Sequence, residues 1–268
     1  MRTGLAIRIT NIASCRLALL IFLAAAAWAQ DPFELHVYEY ETLPRGVWTL
    51  ETHMNYVPSG TTTAAGALLP TDNQAHVTLE LTRGIAPDIA IGAMLLTATG
   101  PGVAPGIRYA GWRILPHVAA PKSWKLPVDL ALVVEISFQD QRYEENTRQI
   151  ELRPIIQKNI DHYQFDFNPV FERGLKGQGS SEGWVFEPNL RLGYEVSKKL
   201  DASLEYYGTV GPVRGIEPLR QQVHQIYPGV DWKITEHLLC NLGIGFGLTP
   251  SGNRLVVKSR LEYEWGRK

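Results

Sequence analysis

Cysteine is nearly missing from this chain: of 268 residues, only Cys15 and Cys240 are cysteines. A disulfide-stapled scaffold is excluded, because an exported chain that loses Cys15 with its leader keeps one thiol. Cys240 sits on an apolar strand face with Leu238 and Leu242 and reads as a small apolar side chain. Net charge is also nearly absent, formally −1, so nothing suggests a nucleic-acid partner. Beyond residue 30 no apolar run approaches the roughly 18 residues of a spanning helix. No phosphate-cradling glycine loop is present. Gly243, Gly245 and Gly247 alternate with Ile244 and Phe246 inside a strand pattern and open no helix. None of the histidines (His36, His53, His76, His117, His162, His224, His237) forms a His-x-Ser pair or neighbours a Gly-flanked serine. The sequence therefore carries no nucleophile motif, no cofactor motif and no metal motif, and the expectation is a chain that is not an enzyme.

What the chain does have is a leader followed by sustained alternation. Residues 1–29 read as a cleaved secretory signal peptide. Arg2, Arg8 and Arg16 precede the apolar run from Leu17 to Ala27, and Ala27-Trp28-Ala29 is an A-x-A site before Gln30. Residues 30–45 form an aromatic and acidic N-terminal segment, Asp31 to Pro44 being its body. Two placements are open for it: a periplasmic extension, or a plug folded into a lumen. Residues 46–268 alternate apolar and polar with a period of two, the signature of strands with one apolar face. In Val47–Tyr56, for example, Trp48, Leu50, Met54 and Tyr56 share one face, and Thr49, Glu51, His53 and Asn55 the other.

The alternation predicts twelve strands near 46–57, 74–83, 88–98, 106–117, 126–139, 148–158, 162–173, 183–196, 200–209, 221–233, 237–248 and 253–265. The third, Ile89 to Ala98, is apolar on both faces. Connections alternate between long stretches, such as Pro58–Asn73 and Gly174–Gly183, and short ones, such as Gly84–Pro87 and Ser197–Lys199. That is the loop asymmetry of an outer-membrane barrel, with short periplasmic turns and longer outer loops. The linker Val118–Lys125 is long for a periplasmic turn, and Thr249–Gly252 is short for an outer loop. The expected fold is all-β, a single antiparallel transmembrane β-barrel of about 12 strands with up-and-down topology. Aromatics gather at strand ends and charges of both signs share the opposite face, so the apolar face is expected to meet lipid and the charged face the lumen.

The phrases Leu-Thr-Arg-Gly-Ile-Ala-Pro-Asp-Ile-Ala-Ile-Gly (81–92) and Pro-Gly-Val-Asp-Trp-Lys-Ile-Thr-Glu-His-Leu-Leu (228–239) carry a resemblance to Gram-negative outer-membrane β-barrel proteins. They are similar to segments of small porin-like and transporter barrels, some named for the meta-pathway of phenol degradation. The resemblance covers nearly all of the chain after the leader, and it is architectural. Such barrels usually end in an aromatic residue; Trp265 is the counterpart here, with Gly266-Arg267-Lys268 after it.

The function expected on these grounds is an outer-membrane channel or transporter for small solutes with a charged lumen. Glu51, His53, Arg113, Glu135, Arg153, Arg191, Lys258 and Arg260 are the candidate lining, acting by electrostatic selection. Two alternatives stay open: an outer-membrane lipid-modifying enzyme, which requires Ser and His together on the lipid-facing rim, and a structural or adhesive barrel acting through its outer loops. Expected partners are outer-membrane lipids, the barrel-assembly machinery and an unknown small solute, with no nucleic acid.

Overall fold

In a computed structural model of the protein, residues 31–266 are described, apart from Ala104. The signal-peptide reading of residues 1–29 lies outside the described residues. The strands are β1 (Val47–Ser59), β2 (Ala75–Ala86), β3 (Ile89–Thr99), β4 (Arg108–Ala119), β5 (Asp129–Gln139), β6 (Asn146–Ile160), β7 (Tyr163–Gly177), β8 (Trp184–Ser197), β9 (Leu200–Thr209), β10 (Gly211–Pro212), β11 (Val223–Lys233), β12 (Leu238–Gly247) and β13 (Leu255–Gly266). β10 is a two-residue addition to the edge of β8. The other twelve pair antiparallel with their neighbours in sequence, and β13 returns to β1, closing an up-and-down barrel. Closure leaves no strand edge unpaired, which is what permits a sheet to stand in lipid.

Local chemistry fixes the turns at one rim. Pro87-Asp88, Asp161-His162 and Lys198-Lys199 are the two-residue links of β2–β3, β6–β7 and β8–β9. Asp88 (φ 60°) and Asp161 (φ 52°) occupy the left-handed region, which Asp tolerates and tight hairpins need. The exception at this rim is the linker between β4 and β5, which contains a 3-10 turn at Lys122–Trp124. The opposite rim carries the longer connections, including residues 60–74, 140–145 and 213–222.

The alternation resolves into an inverted molecule. On β1, Leu50, Met54 and Tyr56 are over 40% exposed, while Thr49, Glu51, His53 and Asn55 are under 9%. Leu79, Leu81, Ile91, Leu95, Ile136, Leu204, Leu242 and Ile244 continue the apolar band around the barrel. A continuous apolar belt of this extent is far larger than the patches that soluble surfaces carry, and it is stable against hydrocarbon. Rings flank the band. Trp48 stacks on Trp265, and Tyr163 lies tilted against Tyr194 with ring centroids 4.9 Å apart, near the short-turn rim. Trp112 stacks on Phe138, and Phe171 on Phe186, towards the long-loop rim.

Residues 31–44 lie inside the barrel, running from the long-loop end at Asp31 to the short-turn end at Pro44. They make no strand, and side chains of the wall bond several of their backbone groups. Pro32 O accepts from Asn55 Nδ2 (2.9 Å) and Phe33 O from Thr78 Oγ1 (2.9 Å). Asn168 bonds both groups of Tyr38, accepting from its N (2.8 Å) and donating to its O (3.0 Å). Tyr40 N donates to Gln157 Oε1 (2.8 Å), and its hydroxyl donates to Ala120 O (2.6 Å) in the long linker. Two apolar clusters complete the fit. Phe33, Tyr38 and Tyr40 pack on Met94, Leu96, Ala98, Ala110, Leu115 and Ile155. Leu35 and Val37 pack with Val57, Tyr207, Tyr227 and Val256. The inner face of β3 is apolar because this segment covers it. At the exit, a Cβ on Gly84 would stand 2.0 Å from Pro44 O, so only glycine lets the chain pass there.

Candidate functional site

The lumen is the candidate site, and all eight candidate lining residues point into it from alternate positions on β1, β4, β5, β6, β8 and β13. Four of them reach the N-terminal segment by hydrogen bond or ion pair. Arg113 donates to Asp31 Oδ2 (2.6 Å), Glu34 Oε2 (3.2 Å) and Gln139 Oε1 (3.4 Å), and its Nε lies 3.2 Å from Glu135 Oε1. Arg153 holds Glu151 (2.7 Å), lies 3.5 Å from Glu34 Oε1 and stands over the Tyr38 ring at 4.5 Å. Arg191 bridges Asp231 (2.8 Å) and Asp166 (3.4 Å), with Glu39 of the segment at 3.7 Å. Lys258 donates to Leu35 O (3.0 Å) and to Glu205, which also accepts from Tyr207 Oη (2.6 Å). Glu34, whose side chain is wholly buried, is therefore clamped between two guanidiniums.

The remaining group is separate. Arg260 Nη1 donates to Glu51 Oε2 (2.7 Å) and Glu262 Oε2 (3.1 Å). His53 Nε2 lies 3.6 Å from Glu51 Oε2 and 3.5 Å from Glu80 Oε2. Register explains the crowding: Glu51 stands directly opposite Glu262 on β13 and Glu80 on β2. A second row of directly opposed acids, Glu135, Glu151 and Glu172, crosses β5, β6 and β7, offset by Arg113 and Arg153. Like charges facing each other across a ladder cost stability unless a cation lies between them.

With the segment in place little free space is left in this part of the lumen. The cavity bounded by Glu34, Arg113, Glu135, Glu151, Glu172 and Glu187 measures about 20 Å³, room for one water. Gly243 and Gly245, which open space on the inner face of β12, are answered by the wall itself. The Lys258 stem lies over Gly243 and the Tyr227 ring over Gly245. At the loop end of the same cavity, burial pushes the Glu144 carboxyl up to about 7, helped by the nearby charge of Asp31.

A lipid-cleaving barrel would need Ser and His together on the outward rim. The histidine there, His224, instead shares its Nδ1 with Tyr206 Oη (2.6 Å) and its Nε2 with Gln222 Oε1 (2.8 Å). Sequence reasoning did not single out Glu34, Asn168, Gln157 and Thr78, which hold or belong to the segment. The sequence left a lumenal plug open as one placement of residues 31–44, and the apolar inner face of β3 is the further trace of where it lies.

No protein-family model matches the chain, and no curated protein matches it significantly. Among solved structures, the KdgM porin is similar at 10% identity and TM-score 0.50, covering 80% of this chain and 98% of its own. The NanC porin is similar at 8% identity and TM-score 0.54, covering 82% of this chain and all of its own. The chain thus has the closed twelve-stranded barrel fold of outer-membrane porins.

Proposed function

We propose that this chain is an outer-membrane channel for small solutes that its own residues 31–44 hold closed at rest. A leader at 1–29 would deliver it to the envelope, with the short turns in the periplasm and the long connections outside. The observation that carries the reading is the lumen. A porin-type barrel has a polar inner wall, and four of its fixed cations, each also paired with a wall carboxylate, reach the N-terminal segment. A wall built only as a packed core would favour apolar side chains over buried ions, which gain little stability relative to well-packed apolar groups. Among the described residues, eight carboxylates are buried against four Lys and Arg side chains. One of the eight, Glu34, belongs to the segment, so an emptied lumen remains acid-rich and favours cationic and neutral solutes over anions.

Liposome swelling tests this. Vesicles carrying a variant lacking residues 31–44 should admit small neutral and cationic solutes faster than anionic ones of equal size, and the full-length barrel should admit them slowly. A folded deletion variant that leaves vesicles as tight as protein-free ones overturns the reading.

A further inference from the structure

The group Glu51, His53 and Glu80 is not needed to hold the segment, and its geometry is that of ligands without an ion. The three side chains are 8%, 1% and 5% exposed. One donor atom from each lies within 4.8 Å of the others. His53 Nε2 has no hydrogen-bond partner, nor does Glu80 Oε2, and they face each other at 3.5 Å. Two unpartnered polar atoms buried against one another are costly unless something lies between them. Their spacing is informative. Zinc-type ions hold N and O ligands at about 2.0–2.2 Å, which sets tetrahedral ligand atoms roughly 3.4 Å apart. The observed separations from Nε2, 3.5 and 3.6 Å, match without rearrangement of the strands.

Charge points the same way. Glu262, Glu51 and Glu80 stand in one row across β13, β1 and β2, and Arg260 is the cation bonded to that row. Three carboxylates against one guanidinium leave a divalent deficit. Arg260 on Glu51, and the Thr82 hydroxyl that donates to Glu80 Oε1 (2.8 Å), are the supporting hydrogen bonds ligating carboxylates usually receive. An imidazole nitrogen in the set selects zinc, cobalt or nickel over calcium and magnesium, which take oxygen. We infer that Glu51, His53 and Glu80 form a divalent transition-metal site in the barrel wall. His36 of the segment stands beside it, ring centroids 6.1 Å apart, with Nδ1 buried and unpartnered. A bound ion thus has a further nitrogen on the segment side, so occupancy would couple the wall to the plug. The inference holds whether or not the barrel conducts.

The test is Co2+ titration of the full-length, detergent-folded barrel at pH 7.5 after chelator dialysis, followed by visible absorption and by Zn2+ competition. Heat-modifiable gel mobility checks folding. The inference expects one Co2+ per barrel with four- or five-coordinate absorption bands, displaced by Zn2+. His53→Gln and Glu80→Gln should each weaken binding at least about tenfold, the lower end of what loss of a supporting group alone costs. Exposed His162 and His237 set any background, which those variants leave unchanged. A folded wild-type barrel that binds no Co2+, or binding indifferent to both substitutions, overturns the inference. The wild-type stoichiometry decides even if one variant fails to fold.

Discussion

Replacing Leu242 with Arg tests the inverted arrangement of the barrel on a scale the geometry sets. Leu242 is the fifth residue of β12 and 47% exposed, on the outward face opposite Val230 and Ser259. It lies four residues from Leu238, beside the short turn, which is about 13 Å along the strand at roughly 3.3 Å per residue. At a tilt near 40° that is about 10 Å along the membrane normal, within a few ångströms of the middle of a belt about 25 Å tall. An arginine there should destabilise the barrel by about 2–4 kcal/mol, whereas one near the interface costs about 0–1 kcal/mol. Val196, 54% exposed at the short-turn end of β8, is the rim control. Equilibrium denaturant unfolding in phosphatidylcholine vesicles, followed by tryptophan fluorescence, measures both. Equal losses for Leu242→Arg and Val196→Arg, or no loss at Leu242, would refute the assignment of that face to lipid.

Two further outcomes follow from the segment and the loop that covers it. Glu34→Ala leaves Arg113 and Arg153 facing each other without their shared carboxylate. Breaking a buried ion pair in this way costs about 3–5 kcal/mol, so the segment should undock and become protease-sensitive while the barrel keeps its heat-modifiable mobility; continued protection would contradict the clamp. Glu144, its carboxyl raised from 4.5 to about 7, binds more protons folded than unfolded between those values, so its contribution to stability falls as pH rises through that window. Amides of residues 143–146 should exchange faster at pH 8 than at pH 5, beyond the intrinsic rate, and Glu144→Gln should remove the difference. Asp140, held low by hydrogen bonds from Arg142, works in the opposite sense and is lost only as pH falls through its lowered value.

The strands were legible because each has one face in hydrocarbon and one against polar groups, and a period of two records that directly. Their ends were less so. β7 runs to Gly177 instead of stopping at Arg173, because the apolar–polar alternation lapses in Arg173-Gly174-Leu175-Lys176, where Leu175 and Lys176 are both exposed. The segment at 31–44 was ambiguous for a different reason. Its extended backbone bonds to Asn168, Gln157, Thr78 and Lys258, residues far along the chain, and such bonds leave no periodicity. Its imprint lay elsewhere, in Met94, Leu96 and Ala98, which are apolar on a strand face that should have been polar. The lining charges were legible as inward-facing, but spacing alone could not pair them. Arg113 finds Asp31 and Glu34, more than seventy residues away, only through closure of the barrel around the segment.

The most direct test of the closed-channel account is single-channel conductance in a planar bilayer, comparing the full-length barrel with the variant lacking residues 31–44, both verified as folded. The account predicts rare, brief steps for the full-length barrel and sustained, cation-preferring steps for the variant. A folded variant that stays silent, or a full-length barrel that conducts as steadily as the variant, would contradict it.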